Sequence, residues 1–210
     1  MKFYSQYGQD KWLYETFFTN QEFGTFLEIG ADDGVDKSNT LFFEEFLGWQ
    51  GMCVEPSPNR FKLLEKNRVC ICENYAVSDF VGETKFLDIS GWGKGLSGIV
   101  DKYDNRHLKR VKNEISHPLN EGKRIVKVKT ELLSNLLDKH NIAEIDFCTI
   151  DTEGGEYDIL STINFNKYCI KIILVENNYG DNKVENLLHN NGYKKIHRLV
   201  IDDVFIKNSI

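Results

Sequence analysis

Gly30-Ala31-Asp32-Asp33-Gly34 follows a short apolar run, Phe26, Leu27 and Ile29, and sets two carboxylates between two glycines. Glycines at the ends of a turn allow positive φ and let a ligand come close to the backbone. Phosphate cradles attract anions through free N–H groups and a helix N-terminus. Asp32 and Asp33 would repel a pyrophosphate, so this turn is read as the seat of a cationic ligand without phosphate.

Glu55 ends the next apolar run, about twenty residues further on, where a carboxylate accepts hydrogen bonds from both hydroxyls of an unphosphorylated ribose. S-adenosylmethionine fits both signals, since it carries a sulfonium, an ammonium and a ribose but no phosphate. On Glu55 alone, NAD competes. Ser38-Asn39-Thr40 either caps the following helix or holds the carboxylate of a bound amino acid through its N–H groups. Ser78 either meets an adenine amino group or sits in a solvated turn.

A second group of acids is denser. Asp151-Thr152-Glu153-Gly154-Gly155-Glu156 places three carboxylates within six residues, directly after an apolar strand, and Glu176-Asn177 ends the neighbouring run. In an open parallel sheet, ligands bind outside the carboxyl ends of the strands. Asp151, Glu176 and Asn177 would there offer hard oxygen ligands to Mg²⁺, with Glu153 as general base toward a substrate hydroxyl. Hydrogen bonding of the same carboxylates to a sugar or to the cofactor is the alternative. His107 and His117 are alternative bases.

The elements that must position these residues alternate between strand-like and helical patterns, which implies an α/β fold around a mostly parallel sheet. Strands are expected at 25–29, 51–54, 69–77, 83–88, 127–129, 145–150 and 170–175. A closing antiparallel pair is expected at 193–199 and 202–206. Helical patterns cover 9–19, 40–47, 57–66, 132–139 and 184–190, with Gly48 at a helix C-cap. The glycine-rich and charged stretch near 90–126 breaks the alternation and is expected to be a lid or acceptor-binding insertion in a single domain spanning 1–210.

Composition narrows the function classes. The chain has 210 residues, a formal charge of −6 and 41% hydrophobic residues including 14 Phe, which suits a globular domain with one buried core. Its pI near 5.4 argues against a general nucleic-acid or anionic-membrane binder. No apolar segment has the length of a membrane span, and the N-terminal residues lack an apolar signal region. The five cysteines are odd in number and mostly lie in apolar runs. They are read as reduced structural thiols, with a cytoplasmic location as the expectation.

Taken together, Ser5-Gln6-Tyr7-Gly8-Gln9-Asp10, Glu28 to Gly34, Ser38-Asn39-Thr40, Gly51 to Pro58, Asp151 to Glu156 and Val175-Glu176 resemble the FkbM-type S-adenosylmethionine-dependent methyltransferases. That family is a branch of the class I, Rossmann-like methyltransferases. The resemblance implies a seven-stranded sheet with an antiparallel last strand. It also implies methyl transfer, most often to oxygen on sugars, glycans or natural products. Carried over residue by residue, it assigns cofactor contacts to Gln6, Glu28, Gly30, Ala31, Asp32, Gly34, Asn39, Thr40, Glu55, Pro56 and Asp151, and has Gln6 and Asp10 close the site; Ser78 is a candidate contact from its place after strand three alone. Related metal-dependent O-methyltransferases have acids at the ends of strands four and five, corresponding to Asp151 and Glu176-Asn177, and some have another where Glu153 stands. Glu176 replaces the usual Asp there.

Between residues 101 and 129 basic side chains gather in this acidic chain. A solvated helix face is one reading. A surface for a phosphorylated or acidic glycan, with Arg106 or Arg110 as anion anchor, is the other. Trp92 either stacks on a sugar ring or plugs the core. The expected partners are thus a small-molecule or glycan acceptor and no nucleic acid, with a homodimer left open. The leading function is O-methylation of a hydroxyl, with Mg²⁺ assistance open. The competing classes are a NAD-dependent oxidoreductase, distinguished by binding NADH and not S-adenosylhomocysteine, and a catalytically silent module that binds the cofactor without turnover.

Overall fold

The computed structural model describes residues 1–208. The chain opens with α1 (Gln9–Leu13), which widens into one π turn (Tyr14–Phe18), then β1 (Thr25–Ile29), α2 (Leu41–Leu47), β2 (Gln50–Val54), α3 (Pro58–Asn67) and β3 (Ile71–Glu73). A second group follows: β4 (Ala76–Val77), β5 (Gly82–Gly91), β6 (Gly98–Ile99), α4 (Asn105–Ile115) and β7 (Asn120–Glu131). The chain then returns through α5 (Leu133–Lys139), β8 (Glu144–Ile150), α6 (Glu156–Ser161), β9 (Cys169–Glu176), α7 (Lys183–Asn190), β10 (Tyr193–Leu199) and β11 (Asp202–Lys207).

Seven strands form one sheet in the order β10–β11–β9–β8–β1–β2–β3. The five from β9 to β3 are parallel, and β11 runs antiparallel to both of its neighbours. This is the α/β architecture with an antiparallel last strand that the resemblance implied. Successive side chains of a strand point to opposite faces, and the core divides accordingly. Phe26, Cys53, Phe147 and Leu174 join Leu13, Phe18, Phe42, Phe43 and Trp49 on the face covered by α1 and α2. Leu27, Met52, Val54, Cys148, Ile150 and Ile173 meet Leu133, Leu136, Leu137 and Ile159 on the other.

One sequence expectation is corrected. The single strand expected over 69–77 is two, β3 in the large sheet and β4 in a second sheet of order β4–β7–β5–β6. The chain changes sheets at the polar Asn74, whose side-chain amide donates to the Glu55 and Pro56 carbonyls. The stretch near 90–126 carries β6, α4 and part of β7, and β7 pairs with β5 along nearly its whole length. The helix α6 was missed. It is six residues long, too short for a helical period to stand out behind Gly154-Gly155.

The five cysteines are free thiols, with Cys53 and Cys148 fully buried. Among the described residues, no helix is long and apolar enough to cross a membrane.

Candidate functional site

In the parallel part of the sheet the strand order reverses between β1 and β8, and a crevice opens there at the carboxyl ends of the strands. It holds a cavity of ≈ 570 Å³, within the range of small-ligand and cofactor sites. Its wall includes Gly30, Ala31, Asp32 and Asn39 after β1, Glu55 and Pro56 after β2, Asp151 and Glu153 after β8, and Glu176 at the end of β9. Gln6 and Gln9 approach from the N-terminal segment, Trp92 and Lys94 from the turn after β5, and Arg110 from α4.

Gly30 is required, though by the protein itself rather than by a ligand. It has φ +91°, and a Cβ there would lie 1.8 Å from the Asp151 carbonyl oxygen. The Asp151 N–H donates to the Ile29 carbonyl at 3.0 Å. The ends of β1 and β8 are thus locked together, which brings the two halves of the site into register. A Cβ on Gly34 would meet Arg68 and Leu64 at 2.7 Å, so this glycine packs the turn against α3 and does not face the cavity.

The acidic turn is less exposed to a ligand than its sequence implies. Asp33 Oδ1 accepts the Val35 and Asp36 N–H groups at 2.9 and 2.8 Å and shapes the turn. Asp32, in the left-handed region at φ 49°, pairs with Arg60 at 3.3 Å and with Lys94 at 2.8 Å. Its charge is already matched from within the chain. Neither cation carried a signal in the sequence, because both reach Asp32 only through the fold.

Glu28 and Thr40 are also positioning groups. The Glu28 carboxylate accepts from Ser38 Oγ, the Asn39 N–H, Thr40 Oγ1 and the Arg68 guanidinium, at 2.6 to 3.1 Å. Arg68 also pairs with Glu44. This buried network holds the Ser38–Thr40 turn and leaves Asn39 on the cavity wall. There Asn39 Nδ2 donates to Thr149 Oγ1, while its buried Oδ1 has no partner. An unpaired acceptor in a cavity is suited to a ligand donor.

Glu55 is only 3% exposed. Its two oxygens accept the Asp32 and Ser57 N–H groups at 2.9 and 2.7 Å. Burial raises its pKa to about 8, against the pull of Arg60 and the Ser57 N–H. Near it Val54, Tyr75, Val77, Phe86 and Ile99 form an apolar section of the wall. Ser78 lies outside the cavity, with its N–H on the Glu131 carbonyl and its hydroxyl on Asp79.

At the other end, Asp151, Glu153 and Glu176 each offer a carboxylate oxygen, all within 4.8 Å of one another. Asp151 opens onto the cavity. Enclosure in the crevice, then the charges of Glu153, Asp202 and Glu156, raise its pKa well above the carboxylate range. Glu176 is raised for the same reasons, with Asp151 the foremost neighbouring charge. Such a set calls for a proton or a cation between its members, and three hard oxygen donors fit Mg²⁺.

Asn177 does not belong to this set. Its Nδ2 donates to Asp203 and the Asp181 carbonyl, and its Oδ1 accepts the Asp181 N–H. Glu156 is likewise diverted, since Oε1 accepts from the Thr152 and Gly154 N–H groups and the Thr152 hydroxyl. It holds the loop that carries Glu153, a residue with φ 59°. Left-handed geometry in non-glycine residues concentrates at functional sites.

His107 reaches this loop from α4, which Asp104 caps by accepting the Arg106 and His107 N–H groups. The imidazole is 2% exposed. Nδ1 lies 3.2 Å from Glu153 Oε2, and Nε2 lies 3.3 Å from the Leu96 carbonyl. His107 therefore sits behind Glu153 and is not part of the cavity wall. His117 stacks on Trp92 at 4.6 Å, away from the acids. Trp92 is 58% exposed, so it is not a core plug. Arg106 is occupied by Asp104 and by the Tyr179 ring, leaving Arg110 as the arginine of that pair on the wall.

At the N-terminus, Asp10 accepts the Tyr4 and Ser5 N–H groups and folds the segment on itself. Gln9 Nε2 donates to the buried Asp202 at 2.7 Å. Nothing in the sequence paired these two, which are 193 positions apart.

The N-terminal domain of human METTL16 has a similar structure, with a TM-score of 0.50 at 11% identity, over 95% of this chain and 68% of that one. A second crystal form of the METTL16 methyltransferase domain gives 0.49 at 11% identity, with 95% of this chain matching 66% of that one. This chain thus spans about two thirds of that neighbour's length. Precorrin-6y C5,15-methyltransferase from Geobacter metallireducens GS-15 gives 0.44 at 11% identity, over 90% and 80% of the two chains. No curated protein matches the chain.

The fold is that of the class I methyltransferases. The model of the methyltransferase FkbM domain matches residues 28–195, and the chain belongs to this family of S-adenosylmethionine-dependent methyltransferases.

Proposed function

We propose that the chain is an O-methyltransferase acting on a hydroxyl of a sugar, glycan or related natural product, with Mg²⁺ assisting. The observation that carries this reading is the convergence of Asp151, Glu153 and Glu176 within 4.8 Å, in the same cavity as Glu55 and the glycine turn. The absence of an Asn/Asp-Pro-Pro-aromatic element at Asp151-Thr152-Glu153-Gly154 speaks against an amine or base methylase.

When bound, S-adenosylmethionine supplies an electrophilic methyl on a cationic sulfur. Glu55 would accept from the ribose hydroxyls, the Val54–Ile99 apolar wall would cover the base, and Asn39 Oδ1 would take an ammonium or hydroxyl donor. Mg²⁺, held by Asp151, Glu153 and Glu176, would supply Lewis acidity that lowers the pKa of an acceptor hydroxyl. Glu153 is the best-placed proton acceptor, because His107 holds its Oε2 from behind and the residue lines the cavity. Arg110 and Trp92 would line the acceptor's entrance. The second sheet, residues 76–131, would act as the acceptor-side lid of a single catalytic domain.

The test is a screen of sugars, nucleotide-sugars and glycans with methyl-labelled S-adenosylmethionine, with and without chelator. Label should enter an ether, be lost in EDTA and return with Mg²⁺. Turnover that ignores chelator would remove the metal and leave Glu153 as an unaided base. Donor binding with no turnover on any acceptor, and no effect of Asp151→Ala, would favour a silent binding module.

A further inference from the structure

Lys94 has an unusual position for a lysine in a site suited to a cation. Its ammonium lies 2.8 Å from Asp32 and 2.9 Å from Asp36, on the turn where the donor is read to sit. Partial burial works against this charge, but Asp32 and Asp36 together hold it above the ordinary lysine range. The other cation on Asp32, Arg60, is fixed: its guanidinium also donates to the Ser97 hydroxyl at 2.8 Å and faces Asp88 at 3.5 Å. Lys94 is different. It stands between Gly93 and Gly95 at the start of a three-residue turn of 3-10 helix, and a Cβ at Gly95 would meet nothing within 4 Å. The ammonium of Lys94 is held by the carboxylates of the turn, Asp32 and Asp36.

We infer that Lys94 is a charge competitor that makes the site distinguish the methyl donor from its demethylated product. The inference rests on the donor reading given above. Methyl transfer leaves the S–C electron pair on sulfur as a neutral thioether. An acceptor oxygen pair forms the new C–O bond, and the hydroxyl proton goes to Glu153. The ligand thus loses one positive charge while its shape changes by one methyl. Before transfer, the donor cation and the Lys94 ammonium repel each other and compete for the Asp32 carboxylate. After transfer, the competition ends and Lys94 holds Asp32 alone. Charge interactions in a partly open site change affinity by roughly three- to tenfold.

The experiment is calorimetric titration of the wild-type chain, Lys94→Met and Lys94→Arg with S-adenosylmethionine and, separately, S-adenosylhomocysteine. Lys94→Met should tighten the donor about three- to tenfold more than the product, and added salt should shrink that difference. Lys94→Arg, which keeps the charge, should retain the wild-type ratio. Equal change for both ligands, or none, would overturn the inference while leaving the donor reading intact. Failure of the wild type to bind either ligand would overturn both.

Discussion

His107 Nδ1 lies 3.2 Å from Glu153 Oε2, a contact between a helix of the second sheet's segment and a loop of the first. The Leu96 carbonyl 3.3 Å from Nε2 can only accept, so the Nε2–H tautomer satisfies that contact. The pair orients Glu153 toward the cavity from a residue that does not reach the cavity itself. His107→Ala should lower kcat roughly 10- to 100-fold with donor affinity unchanged by calorimetry. His107→Gln, which can still donate, should recover part of the loss. A loss confined to donor binding would contradict this role.

Glu55 supplies a pH prediction. Its pKa is raised from 4.5 to about 8 in the native chain. A carboxyl raised on folding binds its proton more tightly when native, so the stability it supports is full below about 4.5. That stability is lost as pH rises through about 8. Melting of the ligand-free chain should therefore show Tm falling over this window, with a shallower fall for Glu55→Gln. Above pH 8, where Glu55 is ionised, the same variant should lose about tenfold or more in affinity for S-adenosylhomocysteine, since bonds to a charged acceptor are the stronger ones. A variant with the wild-type pH slope would refute the assignment.

The carboxylate cluster predicts a metal-dependent stability. Asp151 and Glu176 hold raised pKa values because they are enclosed and, next, because their charges crowd one another, and a divalent cation would relieve that crowding. Millimolar Mg²⁺ should raise Tm by a few degrees, and EDTA should reverse the rise. Glu176→Gln and Asp151→Asn should abolish the response, while Asn177→Ala should keep it, because Asn177 is turned toward Asp203.

Arg68 predicts a cost in stability with a functional consequence. It is buried between Glu28 and Glu44, so Arg68→Met leaves Glu28 charged and uncompensated. The loss should be about 3–5 kcal/mol by urea unfolding. Donor affinity should fall as well, because Glu28 fixes the turn that carries Asn39.

The strand ends were legible in the sequence for a physical reason. Apolar runs broken by Gly30, Glu55, Asp151 and Glu176 mark where buried strands meet the crevice, and all four residues line one cavity. What the sequence does not encode locally is which side chains engage those acids. Gly34, Thr40 and Ser78 share the right segments but turn into packing and hydrogen bonds. Lys94 on Asp32 and Gln9 on Asp202 depend on contacts between distant segments. The Asn177 expectation failed because a strand-end amide can serve its own turn as readily as a metal. Strand three was misread because β3 and β4 are too short for alternation to show the change of sheet.

The central claim is that one crevice holds a cationic nucleoside donor through Glu55 and brings it beside the Asp151–Glu176 acids. Titration of S-adenosylhomocysteine and NADH into the wild-type chain and Glu55→Ala tests this most directly. The account predicts micromolar heat with S-adenosylhomocysteine, greatly weakened by Glu55→Ala, and none with NADH. Tight NADH binding with silence toward S-adenosylhomocysteine, or S-adenosylhomocysteine binding indifferent to Glu55, would contradict it.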